Sequence, residues 1–164
     1  MPYTIDARLH PDLAGFAWLI GHWEGTGEIP GPDETPTECA VTVDFTENGR
    51  GYLHYLMQWF TTDAAGVPQT PLGLEAGFWR AGPDGAEVVL AHPEGYAEVY
   101  LGTVRGAQIE LRTDVVARTG TADVPVTGGH RLYGNVEGAL MFALDRGTSD
   151  EPLAPYLWAR LVRA

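Results

Sequence analysis

Five histidines are the side chains here best suited to hold a metal or move a proton near neutral pH: His10, His22, His54, His92 and His130. Their spacing is not that of a helical metal site. No H-E-x-x-H run occurs, so nothing specific supports a zinc hydrolase. His10 precedes an apolar stretch and reads as a helix cap, His92 falls in a turn, and His22 abuts a Gly-Trp pair. His54 and His130 lie in strand-like stretches, and a place facing an enclosed cavity is the sharper reading for both. Taken singly, each histidine reads as a solvated or hydrogen-bonded structural residue.

Other chemistries find less support. There is no G-x-S-x-G elbow, no Cys-His pairing cue and no phosphate-cradling glycine fingerprint between a strand and a helix. The 22 carboxylates are spread over turns and strand faces and read as a solvated acidic surface, with no glycosidase-like pair among them. Cys39, the single cysteine, leaves no internal disulfide and no cysteine-based zinc site. Within Glu38-Cys39-Ala40-Val41-Thr42-Val43 it reads as a small buried apolar side chain.

Aromatic residues are the stronger clue: five Trp, seven Tyr and five Phe. Lining a concave site, they suit a flat or elongated apolar ligand; otherwise they simply fill a core. Candidate lining residues follow from strand alternation. Over 52–60, Leu53, Tyr55, Met57 and Trp59 form one wholly apolar face. Over 139–144 both faces are apolar, with Leu140, Phe142 and Leu144 on one of them. Trp23, Tyr55, Met57, Trp59 and Phe142 are therefore the expected cavity wall.

The elements that must position these residues are mostly strands. Residues 1 to 9 read as a loosely held arm. Pro11 opens a short helix whose apolar stripe is Leu13, Phe16, Ala17 and Ile20, and Gly21 ends it. The following strand, Trp23 to Glu28, carries glycines at 25 and 27, a sign of strong coiling or close approach. Pro30 to Pro36 is a rigid acidic loop. Strand patterns then recur at about 38–46, 52–62, 72–80, 86–91, 96–104, 108–116, 127–134, 136–145 and 153–162. Alternation is cleanest at 108–115, with Ile109, Leu111, Thr113 and Val115 on one face. The expected fold is all-β: about ten antiparallel strands closed into a lipocalin- or fatty-acid-binding-protein-like barrel. The short N-terminal helix closes one end, and the interior holds a cavity.

Composition bounds the partners. The chain's 164 residues, 45% hydrophobic and 20% charged, suit one domain over 1–164. The formal charge is −12, and the ten basic residues, all Arg, are scattered singly. That pattern argues against nucleic acid and against an anionic membrane surface. No leader pattern or long apolar run is apparent, so the expected compartment is the cytoplasm, as monomer or homodimer.

Gly21-x-Trp23-x-Gly25-x-Gly27 followed by Pro30 resembles the opening motif of the nitrobindins, fatty-acid-binding-protein-like barrels of which several bind haem. The resemblance continues through Leu90 to Gly95, through Glu98 to Gly102, and into Pro155-Tyr156-Leu157-x-Ala159-x-Leu161-x-Arg163. It covers nearly the whole chain. It implies ferric haem as cofactor, with nitric oxide or peroxynitrite isomerase chemistry. The family's C-terminal strand carries an axial His within His-Leu-x-Ala-x-Leu-x-Arg; here that position is Tyr156. The resemblance therefore makes Tyr156 the metal ligand if haem is bound, with Trp158, His54 and His130 as further candidate cofactor contacts. Two residues along the strand, Trp158 is expected on the same face as Tyr156, where it competes with a porphyrin for space. Arg160, on that face too, is the expected positive neighbour of a phenolate. Glu28-Ile29-Pro30 departs from the family's longer glycine-tyrosine-proline continuation, so the loop over the cavity should differ. The alternative is a haem-free carrier or sensor of a small apolar, fatty-acid-like ligand, with Tyr156 as a polar handle on the cavity floor. A barrel with a filled interior is the third.

Overall fold

The structure, a computed structural model, describes residues 6–164. Residues 1–5 of the expected N-terminal arm lie outside that range, and Leu9 already packs against the core. The helix, Pro11–Leu19, is a 3₁₀ helix. Three residues per turn bring i and i+3 into line, so the buried stripe is Leu13, Phe16 and Leu19, all at most 1% exposed. The expected stripe, built on an α-helical repeat, had placed Ala17 and Ile20 there instead. His10 caps the helix, its Nδ1 accepting from the Asp12 N–H at 3.2 Å.

Ten strands follow: β1 (Gly21–Ile29), β2 (Thr37–Thr46), β3 (Tyr52–Thr62), β4 (Pro68–Arg80), β5 (Ala86–His92), β6 (Tyr96–Val104), β7 (Gln108–Arg118), β8 (Val126–Val136), β9 (Ala139–Thr148) and β10 (Ala154–Arg163). Each pairs antiparallel with its sequence neighbours, and β1 pairs with β10 to close the barrel. At that seam the chains approach closely. A Cβ at Gly25 would stand 2.2 Å from the Arg160 carbonyl oxygen, and one at Gly27 would stand 2.8 Å from that of Trp158. The glycines expected to mark a close approach thus let β10 lie against β1.

The 3₁₀ helix plugs one end. Phe16 meets the edge of Trp79 at 6.4 Å between ring centroids, and the Trp23 indole N–H donates to the Leu19 carbonyl at 2.7 Å. From the last strand Arg163 donates to the Trp18 carbonyl at 3.0 Å and to that of Ile20. It also lies 4.2 Å above the Trp23 ring. The chain's end therefore clips the plug to the first strand.

Two irregularities change which residues face inward. Where β6 pairs with β7, Val99 opposes Val115 but Tyr100 opposes Thr113, leaving Asp114 as a bulge. Val115 is turned out and 53% exposed, and the half-buried Val116, opposite Glu98, takes the inward place. The second bulge lies in β10 between Pro155 and Leu157. The turn between β8 and β9 is Glu137-Gly138, with φ of 53° and 86°, later than the break expected near residue 135. Positive φ at both central residues belongs to the tight hairpin turn that matches strand twist. The Asn135 carboxamide oxygen accepts the Gly138 N–H at 3.0 Å.

The expected roomy cavity is not what this interior holds. Trp23, Val41, Phe45, Tyr55, Met57, Tyr100, Tyr133, Leu144 and Leu157 are each at most 1% accessible, so they border no water-sized void. Among the described residues no helix is long and apolar enough to cross a membrane.

Phe16→Ala should lower stability by about 3–5 kcal/mol, the usual cost of emptying a buried aromatic site. Urea unfolding followed by tryptophan fluorescence will measure it; a loss below about 1 kcal/mol would show that the plug is not part of the cooperative core.

Candidate functional site

Away from the plug, charged and phenolic side chains from six strands converge inside the barrel. Arg131 on β8 and Glu75 on β4 form a bidentate pair, with Nη1 to Oε1 at 2.9 Å and Nη2 to Oε2 at 2.8 Å. Both are essentially inaccessible, at 1% and 0%. Nη1 also donates to the Tyr133 hydroxyl at 3.2 Å, and Nη2 to that of Tyr156 at 3.3 Å. The Tyr55 hydroxyl approaches Glu75 Oε1 at 3.4 Å. Alongside lies a second buried unit, in which Glu98 bonds to His92 Nε2 at 2.9 Å and accepts from the Tyr100 hydroxyl at 3.0 Å. Its Oε2 stands 3.7 Å from Arg131 Nη2, and the Arg131 guanidinium lies 5.1 Å from the Tyr100 ring centre.

Local sequence explains why these side chains point inward. Glu75 shares the parity of Trp79, Glu98 that of Tyr96 and Tyr100, and Arg131 that of Tyr133; in a strand every second residue shares a face. That parity was the available signal, and reading the carboxylates as solvated passed over it. His92, expected in a turn, is the last residue of β5, 9% exposed and stacked on Tyr96 at 4.0 Å.

The ionisation states follow from burial and pairing. Burial pushes the Tyr156 phenol well above its ordinary range; Arg131 pulls the other way, and Glu75 pushes it up again. Burial likewise raises Tyr133 to about 12, against the pull of Arg131. Burial disfavours the Arg131 cation, yet Glu75 and the surrounding tyrosines outweigh it and hold Arg131 protonated. Burial would raise Glu98, but its bond to His92, the Arg131 charge and its bond to Tyr100 outweigh that and keep it below 4.5.

Of the expected cavity wall, Trp23, Tyr55, Met57 and Phe142 are inward and buried, and Trp59 is inward and half-buried. Three other expectations are overturned. His54 is exposed on the outer face, opposite Phe78, with the two rings 5.6 Å apart. His130 is also outside, with Nε2 3.0 Å from Glu110 and Nδ1 3.5 Å from Asp145. Trp158 is 41% exposed, opposite Ala143 and Glu28. The β10 bulge is the reason: it breaks the alternation after Tyr156, so Leu157, Ala159 and Leu161 face inward while Trp158 and Arg160 face out. The cation beside the Tyr156 oxygen is Arg131, not Arg160.

A family model described as a THAP4-like, heme-binding beta-barrel domain matches residues 12–163. The chain belongs to the nitrobindin family. A ferric nitrobindin-like protein of Cutibacterium acnes is 52% identical over 100% of both chains. A Nocardioides protein named peroxynitrite isomerase is 43% identical over 99% of each. The crystal structure of Rv2717c from M. tuberculosis matches with a TM-score of 0.80 at 34% identity, covering 95% of this chain and 99% of that one. Haem is accordingly the cofactor to which nitrobindin membership points.

Tested against these side chains, ferric haem does not fit at Tyr156. An axial phenolate needs a free oxygen and a flat void on its hydroxyl side. Here the oxygen is hydrogen-bonded to Arg131, and Arg131, Glu75, Tyr55 and Tyr133, packed around it, are each at most 1% accessible. Each phenolic neighbour is also held neutral by burial.

Glu75→Gln and Arg131→Met should each destabilise by about 3–5 kcal/mol, because each strands a buried charge, while the double variant loses much less than the sum. Additive losses in urea unfolding would show that the two side chains do not act as a pair. Glu98, with its folded pKa depressed, contributes stability in full above the ordinary glutamate range, and that contribution is lost as pH falls through its folded value. Glu98→Gln should therefore flatten the decline of stability as pH falls below the ordinary glutamate range; a wild-type-like acid limb would remove Glu98 from the account.

Proposed function

We propose that this chain is a haem-free member of the nitrobindin family that binds a small ligand at the mouth of the barrel. The observation that carries this reading is the clamp on Tyr156. The hydroxyl at the family's axial position is engaged by an arginine that is itself locked, two-pronged, to Glu75. An ion pair and the Tyr55 and Tyr133 phenols stand on the hydroxyl side of Tyr156, where an axial iron would have to sit. Opening the clamp strands two buried charges, at a cost of several kcal/mol.

At the end opposite the plug the packing relaxes. The inward residues Ile29, Trp59, Arg146 and Tyr156 are all half-buried there, whereas the layers below them are closed. We read this loosened end as a shallow basin over Tyr156, suited to a ligand with a polar group facing that phenol and an apolar body beside Trp59.

A second reading keeps the iron. A guanidinium beside a phenol lowers the cost of its phenolate, and Arg131 Nη2 is 3.3 Å from the Tyr156 oxygen. Under this reading Tyr156 holds ferric haem and the chain shares the activity for which its Nocardioides relative is named. It requires the Arg131–Glu75 clamp to open and the core to make room.

Titration of the purified protein with ferric haem, read at the Soret band, separates the two. We expect no stoichiometric shifted Soret in the wild type and no difference between wild type and Tyr156→Phe. A stoichiometric spectrum with a tyrosinate charge-transfer band, lost in Tyr156→Phe, would establish the second reading and end the first.

A further inference from the structure

The rim of the basin carries two arginines on its inward side. Arg146 on β9 lies over the Tyr156 ring, 4.8 Å from its centre, and neighbours the Tyr96 hydroxyl. Arg118, the last residue of β7, is opposite Tyr96 in the β6–β7 register and so falls on the same face. Arg80, Arg112 and Arg131 each lie within 4.0 Å of a carboxylate: Glu87 on the next strand, Glu110 on the same strand and Glu75 across the interior, respectively. No carboxylate among the described residues comes that close to Arg146 or Arg118. On a chain of charge −12, Arg146 and Arg118 are thus two inward-side cations that stand free of a carboxylate at the relaxed end of the barrel.

Across the mouth Trp59 supplies the apolar counterpart. It is held flat against Gly73, where an added Cβ would stand 2.1 Å from the indole ring. Gly73 therefore leaves the room that the ring occupies, and Trp59 remains half-buried. Among the described residues beneath, Tyr55, Met57, Tyr133 and Leu144 are at most 1% accessible, which leaves no channel beside them for a long acyl chain and favours a compact, flat molecule.

We infer that the mouth binds a compact aromatic carboxylate, its carboxylate taken by Arg146 with Arg118 and its ring lying against Trp59. This rests on the haem-free reading above. A guanidinium matches a carboxylate in shape and charge through paired N–H donors, and Arg146 is already oriented by stacking on Tyr156, so little rotamer freedom remains to be lost on binding. The inward Glu98 does not oppose the ligand, because its charge is met by Arg131, His92 and Tyr100 within the buried cluster. Glu75 is likewise matched by Arg131.

The test uses 2-naphthoate and its neutral counterpart 2-naphthamide, each followed by its own fluorescence anisotropy as the full chain is added. Naphthoate should bind saturably and at least about tenfold more tightly than the amide, the margin that a charge-assisted pair supplies. Arg146→Gln should abolish that preference, and Trp59→Ala should weaken acid and amide alike. Arg105→Gln, in the β6–β7 turn at the plug end, should change neither. Equal binding of acid and amide by the wild type, a preference that survives Arg146→Gln combined with Arg118→Gln, or no saturable binding of either probe would each overturn the inference. None of these outcomes alters the Soret titration, which decides the haem-free reading independently.

Discussion

A single ion pair braces this barrel from within. Arg131 and Glu75 come from β8 and β4, four strands apart around the ring, and meet with both prongs satisfied. Neither charge has access to water, so each is tolerable only while the other is present. The neighbouring phenols follow from that requirement. Tyr133 and Tyr156 accept the other two Nη hydrogens, while the buried Nε–H has no partner among the described residues; Tyr55 faces Glu75, and Tyr100 lies beside the cation. A closed barrel of ten strands has an interior wider than aliphatic side chains alone fill well. Here long polar side chains span it and pair at the centre.

The two ends of the barrel are thereby made unlike. At one, the 3₁₀ helix contributes Leu13, Phe16 and Leu19 to the aromatic cluster of Trp79, Phe45 and Tyr55, and Arg163 ties it down through backbone carbonyls. At the other, beyond the ion pair, side chains become half-buried and two arginines lie on the inward side. The first end is sealed by apolar packing that anything entering there would have to displace whole.

Tyr156, Arg131 and Glu75 depend on one another electrostatically. The Tyr156 hydroxyl oxygen is an acceptor, and Arg131 is its donor. Arg131 in turn needs Glu75. The three residues form one electrostatic unit.

Much of this was readable along the chain. Strand positions follow from two-residue alternation and glycine-marked turns, both local properties, and the seam glycines at 25 and 27 announced a close approach that the barrel's closure realises. Leu13, Phe16 and Leu19 were visible as apolar residues, although the three-residue repeat that aligns them appears only when the helix docks. The inner faces were legible wherever alternation runs unbroken, as for Tyr55, Met57 and Trp59. They were misread after a bulge: Val115 and Trp158 face out because one extra residue reverses parity, and no local feature announced it. His54 and His130 mislead for another reason, since an outer sheet face can carry aromatic and apolar neighbours too. Least visible of all was the central pair. Residues 75 and 131 stand 56 positions apart, and only the closure of the sheet decides that an isolated glutamate and an isolated arginine, each costly inside alone, arrive at the same point.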